Sequence, residues 1–127
     1  MIVLFITTLF LTLLITRIFA HLFHDAKNYG TLKEKSKTLT FIFRKYTGID
    51  VHHIHIGFII LPIGIILILI NGVTSLSVLA LSIGLSLIAD QIVPLLNRKF
   101  NYFKKEAIIS SLIIHIIISL VAISIYL

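Results

Sequence analysis

Four long apolar runs, separated by shorter polar segments, set the plan of this chain. The first extends from Ile2 to Ala20, close to the ~20 residues a helix needs to cross a hydrocarbon core of about 30 Å. No basic stretch precedes it, it outlasts a signal h-region, and no A-x-A site follows it. The pattern therefore predicts a retained helix rather than a secretory signal. Thr8, Thr12 and Thr16 recur every fourth residue along it, where their hydroxyls can bond back to the backbone or across to a neighbour.

The second run begins within His52–Gly57 and holds Pro62 between Gly57 and Gly64. A proline there leaves a carbonyl unpaired and predicts a kink. Asn71-Gly72 is a tight-turn signal, and a third run follows at once. Ser75, Ser82, Ser86 and Asp90 form a polar stripe down one face of that third run. In the fourth run Ser111, His115 and Ser119 share a face. At 1.5 Å per residue His115 lies ~13 Å along its helix, near the bilayer midplane.

Between the first two runs lies the long hydrophilic segment 26–50. Asn28-Tyr29-Gly30 reads as a turn, and Leu32, Leu39, Phe43 and Tyr46 then recur at a helical period among lysines. This predicts a short amphipathic helix lying in the headgroup plane, with a solvated linker as the alternative. The fold class predicted is all-α integral membrane: four transmembrane helices in a small bundle plus that interfacial helix. Residues 1–127 form one domain, with spans at 2–24, 53–70, 73–95 and 106–127 and polar loops at 26–50 and 96–105.

Composition sharpens this picture. Of 127 residues 58% are hydrophobic, and the mean hydropathy is +1.11, whereas soluble domains hold roughly 45–50% apolar residues. There is no cysteine, which excludes disulfides, thiolate catalysis and Cys-type zinc sites. The net charge of +6 sits in short loops, so anionic lipid headgroups are the expected partner and nucleic acid is not. Ten of the eleven Lys and Arg lie in the two polar loops, and the other is Arg17. The positive-inside bias then predicts cytoplasmic loops and both termini outside.

The candidate chemistry gathers at one membrane boundary. Counting 18 residues back from Gly72 reaches Ile54, and 18 forward reaches Asp90, so His53 and His55 should share the depth of Asp90, ~27 Å from the turn. His21 and His24, with Asp25 beside them, end the first span at the same boundary, and His52 starts the second. Arg17, His21 and His24 share one helical stripe. Arg17 can snorkel to the interface, pair with Asp90, or bind a lipid phosphate.

A divalent metal, zinc or iron, held by some of His21, His24, Asp25, His52, His53, His55 and Asp90 is the first expectation, because imidazole and carboxylate suit both ions. At the headgroup level such a metal could serve an enzyme acting on a lipid or isoprenoid substrate, with Asp90 and Arg17 as catalytic candidates. Membrane desaturases and hydroxylases also carry histidine boxes at this boundary, of the form H-x(3–4)-H and H-x-x-H-H. The H-x-x-H-D and H-H-x-H of this chain do not complete that set, so no family is assigned. A second expectation is proton or metal-ion transport through Asp90, Ser86 and His115, with a wet path between the third and fourth spans. Haem b on His115 is disfavoured, because no second histidine lies at its depth. A structural accessory subunit, or a homo-oligomer, is the remaining reading.

Overall fold

The computed structural model describes the backbone of residues 1–28, 53–96 and 105–127, and the side chains of 1–20, 53–92 and 105–127. The interfacial helix expected in the 26–50 segment lies over residues outside those described. Within the described residues the chain is helical: α1 (Ile2–Asn28), α2 (His53–Asn71), α3 (Ser75–Leu96) and α4 (Lys105–Tyr126). All four are long and apolar enough to cross a membrane, with mean hydropathies of 2.3, 2.5, 1.6 and 2.7 in chain order. In lipid each backbone N–H and C=O must find its partner within the segment, so apolar runs of this length settle as helices. Pro62 sits inside α2 with its ring facing outward.

A short turn joins α2 to α3. Gly72 has φ of +72°, the left-handed conformation that commonly ends a helix, and its N–H still reaches the Ile68 carbonyl at 2.9 Å. Thr74 then caps α3. Its Oγ1 accepts from the Ser77 N–H at 3.2 Å, and Ser77 Oγ accepts from the Thr74 N–H at 2.9 Å. This is a reciprocal capping box with serine in the third helical position.

The least hydropathic helix is the central one. α3 packs against all three others, while α2 rests mainly on α3, and α1 and α4 also touch each other. Accordingly 44% of the α3 span is buried, against 17% of each other span. Helices in lipid gain little from hiding leucine, so close packing and hydrogen bonds hold them together. On the α2 side, contact is backbone to backbone. A Cβ added at Gly84 would lie 2.5 Å from the Leu61 nitrogen, and one at Gly64 would lie 2.6 Å from the Leu81 nitrogen. On the other side α3 turns serines and Asp90 toward α1 and α4. Near the chain termini that polar layer gives way to an apolar cluster of Phe5, Leu9 and Val78, with Ile118 and Ala122 packed against it.

Candidate functional site

Three helices bring side chains to the carboxylate of Asp90, which is fully buried. Arg17 from α1 donates through Nε at 2.7 Å to Oδ1, and its Nη2 lies 2.6 Å from the same oxygen. Ser111 Oγ from α4 donates to Oδ1 at 2.8 Å. His53 Nε2 from the first turn of α2 lies 3.2 Å from Oδ2. The Arg17 guanidinium also reaches toward the Ala107 carbonyl at 3.5 Å. Its side chain is 11% exposed, and that of His53 is 22% exposed, so the cluster opens outward on the histidine side. A charge pair so far from water is held by geometry and by the hydrogen bonds that satisfy it.

A second cluster lies one turn deeper. His115, fully buried on α4, has Nδ1 at 2.7 Å from the Ser111 carbonyl and Nε2 at 2.9 Å from Ser86 Oγ of α3. Ser86 Oγ also donates to the Leu9 carbonyl of α1 at 2.9 Å, and Ser119 Oγ donates to the His115 carbonyl at 2.8 Å. α3 and α4 are therefore bridged directly, residue to residue. Both ring nitrogens of His115 have protein partners.

The structure brings together Arg17, His53 and Asp90 among the predicted site residues. It separates His53 from His55. Two residues apart on a helix is ~200° of rotation, and His55 is exposed where His53 is half-buried. The side chains of His21, His24, Asp25 and His52 lie outside the described ones. Among the described residues no three His, Asp or Glu side chains gather closely enough to hold a metal ion. Asp90 itself is poorly disposed to ligate one, because both oxygens already accept donors and a guanidinium touches Oδ1.

One participant carried no sequence signal: the Leu9 carbonyl is a backbone atom in an apolar run, and no side-chain pattern could single it out. Ser77 could have been found, since T-x-x-S before an apolar run has the spacing of a capping box. Of the serine stripe, Ser82, Ser86 and Asp90 are buried, while Ser75 at its end is exposed. Thr16 bonds back to the Thr12 and Leu13 carbonyls of its own helix, both at 2.9 Å, rather than across to a neighbour. Comparison with known proteins finds no matching family model, no matching curated protein and no matching solved structure.

Proposed function

We propose that this chain is a multi-pass membrane protein that holds a divalent metal, zinc or iron, through histidine at the cytoplasmic membrane boundary, and applies it to a lipid or isoprenoid substrate. The observation that carries the reading is the contact of His53 Nε2 with Asp90 Oδ2. A carboxylate so engaged accepts only, so Nε2 carries the hydrogen and the lone pair of the neutral ring is on Nδ1. Histidines that bind metals characteristically donate their other N–H to a carboxylate in this way. Asp90 then becomes the residue that orients the ligand rather than a ligand itself. The second layer is completed by Arg17, which balances the Asp90 charge.

The further ligands would come from His21, His24, Asp25 and His52. α1 stays helical to Asn28, so positions 21 and 24 keep the register of Arg17. With Arg17 committed to Asp90, a phosphate on the substrate would fall to the loop lysines. In this reading both termini lie outside, the basic segments face the cytoplasm, and anionic headgroups surround the site. The exposed apolar faces meet lipid, further copies of the chain, or a larger complex.

A competing reading is an accessory subunit whose polar interior only fixes helix positions. It draws support from the described residues, where every buried side-chain nitrogen and oxygen has a hydrogen-bond partner. Elemental analysis of tag-free, detergent-purified protein separates the two. The metal reading expects near-stoichiometric zinc or iron, lost in His53→Ala, weakened about 10–100-fold in affinity in Asp90→Asn, and retained in His115→Ala. Equal metal content in all four proteins, or none in any, would leave the accessory role.

A further inference from the structure

The deeper cluster is one proton short. Its hydrogen-bonded line runs from the Ser111 carbonyl to Nδ1 of His115, from Nε2 to Ser86 Oγ, and from that oxygen to the Leu9 carbonyl, at 2.7, 2.9 and 2.9 Å. Both ends are carbonyls, which accept and never donate. Nδ1 must therefore carry a hydrogen, and a neutral ring then has none on Nε2. The Ser86 hydroxyl has a single proton, which can go to Nε2 or to Leu9 but not to both. Three bonds need three protons, and neutral imidazole plus hydroxyl supply two. A proton taken up at Nε2 completes the count: Nε2–H donates to Ser86 Oγ, and the hydroxyl turns to donate to Leu9.

We infer that His115 is a buried proton-binding site whose protonated form clasps α1 to α3 and α4. The distances accommodate all three bonds, and only the imidazolium can make them together; the neutral ring makes two, with the hydroxyl turned to one partner. The Phe10 ring of α1 lies 6.0 Å from the imidazole, centroid to centroid, tilted by 49°, a separation common to neutral aromatic pairs and at the outer limit for attraction of a cation. The charged groups facing the site are Asp90 from α3 and Arg17 from α1, which pair with each other. α4 itself adds only Lys105 and Glu106, more than two turns away at its start. His53 of α2 stands on the far side of Asp90, bonded to its other oxygen.

The two carbonyl ends make this a place where a proton is held, not a wire along which it passes. Loss of the proton removes the bond to Leu9 alone, because the hydroxyl then turns to Nε2. Leu9 keeps its ordinary helical partner, so α1 is loosened rather than unfolded. This inference is independent of any metal at the His53 boundary.

Nitrogen-15 NMR of histidine-labelled protein, freed of metal by a chelator and titrated in micelles, tests it, with His115→Gln identifying the signal. Carbonyl-13C leucine with 15N phenylalanine isolates the Leu9–Phe10 peptide from only two others, Leu4–Phe5 and Leu22–Phe23. The expected result is that His115 gains a second N–H as pH falls and that the Leu9 carbonyl shift moves with the same midpoint. Ser86→Ala should lower the proton affinity by about tenfold, because the charged ring loses a stronger hydrogen bond than the one the neutral ring accepts from the hydroxyl. A His115 ring that stays singly protonated wherever the helices persist would overturn the inference, as would a Leu9 signal that ignores the titration or an affinity unchanged in Ser86→Ala. Should Ser86→Ala fail to fold, the two wild-type signals decide the matter alone.

Discussion

The central helix meets its neighbours through two unlike seams. Toward α2 it offers Gly84 and the backbone around Leu81, and α2 answers with Gly57, Gly64 and the backbone of Leu61. Its polar contact, His53 to Asp90, lies at one end, and none among the described residues crosses the middle. Contact depends on there being no side chain, so dispersion between close backbones does the holding. Toward α1 and α4 the same helix offers Ser86 and Asp90, and is met by Arg17, Ser111 and His115. One seam is specified by volume and the other by donors and acceptors. A substitution that one seam ignores should therefore disrupt the other.

The largest effect should come from charge. Asp90→Asn keeps the volume but leaves the Arg17 guanidinium without its counter-charge, and breaking a buried pair costs about 3–5 kcal/mol. Unfolding by sodium dodecyl sulfate should register that loss, and Asp90→Leu with Arg17→Met should restore most of it. A cost below about 1 kcal/mol for Asp90→Asn would mean that the pair is effectively solvated.

An intermediate effect is expected at the glycine seam, in a series ordered by size. Gly84→Ala should cost about 1–3 kcal/mol by overpacking, and Gly84→Val more. Gly84→Ser should fall between them despite its hydroxyl. If serine proved milder than alanine, polarity would matter in this seam and the contrast would fail. The smallest effect should be at Ser82. Its hydroxyl is buried but bonds only to the Val78 and Leu79 carbonyls of its own helix, at 2.9 and 3.1 Å. Ser82→Ala should shift stability by no more than about 0.5 kcal/mol, although it lies one helical turn from Ser86.

The two seams were unequally legible in the sequence. The polar contacts could be read, including His53 with Asp90 at the end of the α2 side, because charges and histidines are rare in apolar runs and because an unbroken hairpin fixes depth. Equal counts from Gly72 set His53 level with Asp90, and the structure has them 3.2 Å apart. The four-residue spacing of Ser111, His115 and Ser119 likewise named the buried face of α4. The choice among partners for Arg17 was not legible, because it depends on how α1 is rotated and placed against α3. The glycine seam was harder still. Gly57 and Gly64 stand out only as neighbours of Pro62, and Gly84 carries no local signal, since a glycine reveals close approach only once its partner is known. The same limit explains His55. H-H-x-H reads as one cluster on paper, but helical rotation sends its last histidine away from the carboxylate.

The position of α3 also bears on how the protein is made. Its span is the least hydropathic of the four, at 1.6, and it carries a carboxylate near its end, where a lone helix entering the bilayer would hold the charge without a partner. The chain reaches α3 only after synthesising α1, with the matching guanidinium, and α2, with the glycine face that fits it. Ser111 and His115 emerge last. A nascent chain stopped before α4 would hold its ion pair but lack the Ser111 bond and the imidazole bridge. On this view the fourth span is the last step of closure, supplying the hydroxyl to Asp90 and the imidazole to Ser86.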